Sequence, residues 1–147
     1  MNEKRAQMVA ELAAPHLQQG EQIEMTVYAN VGMVTIKRLV VTAAAVAVAT
    51  GGMFTMFTRP RKTYLSITNE RLMFFDGETM SGRPGKLLFT VPRDAVSVNG
   101  LNRGLLTLKV ELAIEGQDRG LRLVFPTAAR KAGEQAVGVL RAAVPSR

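Results

Sequence analysis

The chain has 147 residues, enough for one domain with a real core and too few for two comfortable ones. An apolar content of 47% excludes wholesale disorder, and the lack of cysteine excludes disulfides, thiolate metal sites and cysteine nucleophiles. With 19 Lys and Arg against 12 Asp and Glu the net charge is +7, which favours an anionic partner: a phospholipid surface, nucleic acid or an acidic protein.

The whole chain, 1–147, reads as a single domain. It divides into a helix and turn over 1–19, a first strand over 20–31, an apolar insertion with basic flanks over 32–62, further strands over 63–125 and a helix over 126–144. Residues 1–15 lack a continuous apolar core, so they do not read as a secretory signal. The expected location is the cytoplasm, at the inner face of the cell membrane.

Residues 3–14 predict a short amphipathic helix with Met8, Val9, Leu12 and Ala13 on one face, Asn2 as its cap and Pro15 as its stop. His16 follows in a loop, with no histidine or acid at ligand spacing. Over 22–31, Ile23, Met25, Val27 and Ala29 alternate with polar neighbours, as a strand requires, and Gly32 reads as its end. Residues 39–58 then run without a charge, near the length that crosses a bilayer core as a helix. Lys37 and Arg38 stand before this run; Arg59, Arg61 and Lys62 stand after it.

Beyond Pro60 the pattern is a meander. Strands are expected over 63–68, 71–76, 86–91, 95–99, 105–115 and 119–125, separated by turn formers such as Asn69-Glu70, Asp76-Gly77 and Glu115-Gly116. Residues 105–115 alternate most regularly. Pro126 breaks the pattern, and Thr127 is placed to cap a helix whose stripe is Ala128, Ala132, Ala136, Val139, Leu140 and Ala143. Gly133 and Gly138 each lower its intrinsic helicity by about 1 kcal/mol, so the helix depends on packing. Short consecutive strands followed by a helix predict an antiparallel sandwich or barrel closed at one end.

Thr68-Asn69-Glu70-Arg71-Leu72, followed by Met73, Phe74 and Phe75, resembles the T-N-x-R-L hairpin of bacterial pleckstrin-homology-like and GRAM-like domains. Gly20-Glu21 is similar to the pair that opens their first strand. The resemblance covers residues 20–31 and 62–143. It implies a mainly β fold with terminal helices: a seven-stranded antiparallel PH-like barrel capped by a C-terminal helix. The apolar run is then an insertion between the first two strands. It also implies a scaffold or a membrane- or protein-contact module, not an enzyme, with no cofactor. In phosphoinositide-binding relatives, basic residues around the first interstrand loop hold the headgroup. Lys37, Arg38, Arg59, Arg61 and Lys62 occupy that location here, but the loop is replaced by the apolar insertion.

Three readings of residues 39–58 stand side by side. A membrane span fits length and flanks, but one Leu, two Phe and four Val make insertion marginal. A re-entrant or interfacial element keeps the first strand on the same side as the rest, with Gly51-Gly52 as a bend. A buried or partner-covered element needs no membrane at all. The membrane readings put lipid contact on Lys37, Arg38, Met53, Phe54, Met56, Phe57, Arg59, Arg61 and Lys62. The alternative is a soluble protein-interaction or self-associating module, a homo-oligomer among its forms. Nucleic acid ranks lower: Arg83, Lys86, Arg93 and Arg103 add charge, but no aromatics interleave with them as a stacking platform requires. Catalysis lacks material. The single His has no cysteine or serine-elbow partner, and 82–86 lacks phosphate-loop spacing.

Overall fold

The computed structural model describes residues 3–36 and 56–142. Helix α1 (Glu3–Ala13) passes into a 3-10 turn (Ala14–His16). Seven strands follow: β1 (Ile23–Thr35), β2 (Arg61–Thr68), β3 (Arg71–Asp76), β4 (Leu87–Pro92), β5 (Val96–Arg103), β6 (Leu108–Ile114) and β7 (Arg119–Phe125). A 3-10 turn (Thr127–Ala129) leads into helix α2 (Arg130–Arg141). All strand pairs are antiparallel, in the order β4-β3-β2-β1-β7-β6-β5.

β1 joins the two halves of this sheet. Asn30 and Val31 pair with Lys62 and Arg61 on one side and with Val124 and Leu123 on the other. Before them β1 pairs with β2; after them, from Gly32 to Thr35, it pairs with β7. Gly32 therefore does not end the strand. It sits opposite Arg122 with Pro60 beside it, where even an added Cβ would make only ordinary contacts of 3.6 Å. The connection between β1 and β2 shortens accordingly to residues 36–60, and Arg61 and Lys62 belong to β2.

The sheet is strand for strand the expected one, but it stays open. β4 and β5 are its edges, and the Arg93–Ala95 turn carries the chain between them. Helix α2 packs into the main core instead, burying Gly133, Ala136 and Val137, with Ala129, Ala132, Val139 and Leu140 partly buried beside them. Gly133 is required there: a Cβ would lie 2.7 Å from the Phe125 ring and 2.9 Å from Leu108. Ala128, expected on the buried stripe, is exposed. Thr127 caps nothing; its hydroxyl donates to the Leu106 carbonyl. The positions of Asn2 and Ala143 lie outside the described residues.

Two apolar clusters flank the β1–β4 half of the sheet. Leu65, Ile67, Leu72 and Phe74 point into the main core with Val27, Ala29 and Val31. On the outer face Tyr64, Met73 and Phe75 pack under Val9 and Ala13 of α1, which explains why Thr63 through Thr68 are all buried. Leu12, expected on the apolar face of α1, is 36% exposed. The expected 105–115 strand begins only at Leu108, and 95–99 extends through Asn99-Gly100 to Arg103 with a bulge between Val98 and Gly100. Leu105 and Leu106 therefore lie in the turn.

Candidate functional site

Charged side chains gather at both ends of the β1–β2 pair. At the β2–β3 turn the motif residues form one hydrogen-bonded corner. The Glu21 carboxylate accepts from Thr68 Oγ1 at 2.6 Å, from Arg71 Nε at 2.9 Å, from Arg71 Nη2 at 3.0 Å and from the Gln18 N–H at 3.0 Å. Asn69 Oδ1 accepts from the Gln22 N–H at 2.8 Å, and the Asn69 N–H donates to the Gln22 carbonyl. Burial pushes the Glu21 carboxyl up, but the hydrogen bonds from Arg71, Thr68 and Gln18, with the Arg71 charge, outweigh it. They hold the group below the usual carboxylate value. The Gly-Glu pair and the T-N-x-R-L hairpin are thus two halves of one clamp.

Arg93 reinforces the same corner. It is 5% exposed, and its guanidinium donates to Glu24 Oε1 at 2.7 Å, to the Thr68 carbonyl at 3.0 Å and to the Val139 carbonyl at 2.9 Å. It ties β1, β2 and the end of α2 together. That placement corrects the expectation of Arg93 as a surface phosphate contact. Arg103 pairs with Glu134 at 2.8 Å, whereas Arg83 and Lys86 are exposed on the 77–86 loop. The four cations suggested for nucleic acid do not form one stripe.

The other end is where residues 56–60 return to the sheet. Phe57 corrects the sequence reading. It is fully buried, with its ring 5.2 Å from Phe89 edge-on and 6.1 Å from Phe74, which itself stacks on Phe89 at 4.5 Å. It plugs the main core and is not available to lipid. Burying such a ring stabilises by about 1.5–3 kcal/mol over leaving it in water. That anchor holds Met56, Thr58, Arg59 and Pro60 at the rim. With Arg61 and Glu78 they line a shallow cavity of about 270 Å³.

The charges at this rim differ in what they do. Arg61 is committed: its Nη2 lies 3.1 Å from Asp76 Oδ1, and the Glu78 N–H caps the same oxygen at 2.9 Å. The Lys62 N–H donates to Glu78 Oε1 at 2.9 Å, while its side chain is exposed. Arg59 is exposed, and Met56 is 36% exposed. Met56 and Arg59 thus stand exposed around one cavity with the paired Arg61, and Lys62, the next residue of β2, is exposed on the opposite side of the strand. Lys37, Arg38, Met53 and Phe54, with the rest of the 37–55 run, lie outside the described residues.

A second concavity of about 430 Å³ lies on the outer face, lined by Tyr28, Tyr64, Ala128, Ala129, Ala132 and, at one end, Arg5. The Tyr rings are 5.0 Å apart. Arg5 Nη1 donates to the Tyr64 hydroxyl at 3.0 Å and to the Gly82 carbonyl. Nothing in the sequence pointed to this groove, because α1, the 77–86 loop and α2 meet there only after folding. Among the described residues no group of three His, Cys, Asp or Glu could hold a metal ion, and no helix is long and apolar enough to cross a membrane.

No protein-family model matches the chain, and no curated protein matches its sequence significantly. Among solved structures it is similar to one of Vav1 inhibited by an allosteric inhibitor, at TM-score 0.57 and 11% identity, over 96% of this chain and 34% of that one. The Vps36 N-terminal PH domain aligns at TM-score 0.48 and 15% identity, covering 84% of this chain and 81% of that one. A pleckstrin homology domain from Shewanella amazonensis SB2B aligns at 0.48 and 14%, covering 90% and 94%. These likenesses concern fold. With the seven-stranded antiparallel sheet and a helix following its last strand, the chain has a PH-like fold.

Proposed function

We propose that this chain is a non-enzymatic binding module of the bacterial GRAM-like kind that docks on an anionic membrane surface through the β1–β2 connection. The observation that carries this reading is the rim at residues 56–62. Met56, Arg59 and Lys62 stand in water on a segment anchored by Phe57, at the mouth of a connection that is apolar in sequence. A Lys or Arg near an anionic bilayer contributes about 1 kcal/mol, and apolar residues between basic ones suit the interface. Lys37, Arg38, Met53 and Phe54 belong to the same contact in this proposal. The site works on the cytoplasmic face of the membrane and uses no cofactor.

Vesicle flotation tests it. Wild type is expected to float with anionic and not with neutral vesicles, and the R59Q/K62Q variant to lose roughly 30-fold in anionic binding, as two charges of about 1 kcal/mol each imply. Equal flotation of the two proteins would refute the site. A second reading, a protein-interaction module, is favoured by the aromatic and alanine-lined groove of about 430 Å³. An A132F variant that fills the groove without changing flotation would separate the two.

A further inference from the structure

Leu105 and Leu106 occupy the turn between β5 and β6 and are 91% and 67% exposed. Their sequence pattern would have buried one of them in a strand. Two bonds hold them out instead. Arg130 Nη1 donates to the Leu105 carbonyl at 3.0 Å, and the Thr127 hydroxyl donates to the Leu106 carbonyl. The backbone of the turn is thus fastened to the start of α2, and the two leucine side chains project from a fixed platform.

The surroundings are cationic. Arg103 and Arg130 flank the turn, and Lys131 is exposed on α2. Glu134 is the carboxylate of this cluster: Arg103 bonds to it at 2.8 Å, and the charges of Arg103, Arg130 and Arg141 hold its carboxyl low, chiefly through the Arg103 hydrogen bond. Positive charge therefore exceeds negative around an exposed apolar pair, the combination that favours an anionic lipid interface over plain water or a basic protein surface. The turn also lies apart from the rim described above. It sits at the start of β6, where Leu108 pairs with Phe125, whereas Lys62 and Arg61 pair with Asn30 and Val31 of β1, level with Val124 and Leu123. Two strands, β1 and β7, lie between β2 and the β6 strand that carries the turn, about 14 Å at the usual strand spacing.

The geometry points to the Leu105 and Leu106 turn as a second lipid-contact element, one that inserts shallowly into an anionic interface with Arg103, Arg130 and Lys131 at the headgroups. It acts independently of Arg59 and Lys62. The chain contains no tryptophan, so L106W places a single indole at the tip as a direct reporter. With vesicles of mixed phosphatidylglycerol and phosphatidylcholine its emission is expected to shift to the blue; with phosphatidylcholine alone it stays put. The L105S/L106S variant is expected to retain its melting temperature and lose on the order of tenfold in anionic-vesicle binding. Unmoved L106W emission, or wild-type binding by L105S/L106S, overturns the assignment while leaving the Arg59 and Lys62 reading intact. A blue shift that needs no vesicles and grows with protein concentration also overturns it, since the leucines would then meet a second copy of the chain.

Discussion

The two ends of the β1–β2 pair use the same residue types for different purposes. At the β2–β3 corner Arg71 and Arg93 are turned inward, each donating to a carboxylate and to backbone carbonyl oxygen, and among the buried side-chain polar atoms of the described residues only Arg93 Nε is left without a partner. At the opposite rim Arg61 is half committed to Asp76, and Arg59 and Lys62 face water. Charge counted along the sequence therefore overstates what is available for binding. The difference lies in burial: taking a cation out of water costs free energy that its hydrogen bonds must offset, and the corner arginines are held by such bonds whereas Arg59 and Lys62 are exposed.

The sharpest way to test that division is within one dipeptide. Phe57→Ala should lower stability by about 3–5 kcal/mol, and Met56→Ala, one residue away, by no more than about 0.5 kcal/mol, both read from denaturant midpoints. Next comes the clamp. Arg71→Ala leaves the Glu21 carboxylate buried without its cation and should cost about 3 kcal/mol. Its pH dependence has a definite sign. Because Glu21 is held below its ordinary value, its contribution is present above the unfolded carboxylate value of about 4.3 and disappears as pH falls through the lowered folded value. Unfolding of Glu21→Gln should accordingly show a weaker acid dependence than wild type. Arg93→Met, which strips donors from the Thr68 and Val139 carbonyls, should cost about 1–3 kcal/mol. R59Q/K62Q should move stability least, by under about 0.5 kcal/mol, and a large loss there would place those cations in the structural class.

How much of this was legible depended on whether the deciding contact was local. β3 and β7 were readable to the residue, because turn formers bound them on both sides. The motif that suggested the fold was readable too, but its physical basis was not: Glu21 and Arg71 are separated by the whole β1–β2 excursion and meet only in the folded sheet. Gly32 reads as the end of β1 because no local signal says that the strand exchanges β2 for β7 as its partner. Alternation predicts a strand through Leu105 and Leu106, whereas Thr127 and Arg130 hold their carbonyls in a turn. The apolar neighbours of Phe57 in the sequence suggest a lipid contact. Its burial depends on Phe74 and Phe89, which the sequence places in other strands. Gly133 looked like a helix weakness and is a packing requirement against Phe125.

The central claim is that the free cations of the rim bind an anionic membrane surface. Flotation of wild type and R59Q/K62Q with anionic vesicles, repeated at low and high salt, tests it most directly. The account predicts wild-type binding that weakens as salt screens the charges and a variant roughly 30-fold weaker with unchanged melting temperature. Equal binding of the two proteins at every salt concentration would contradict it.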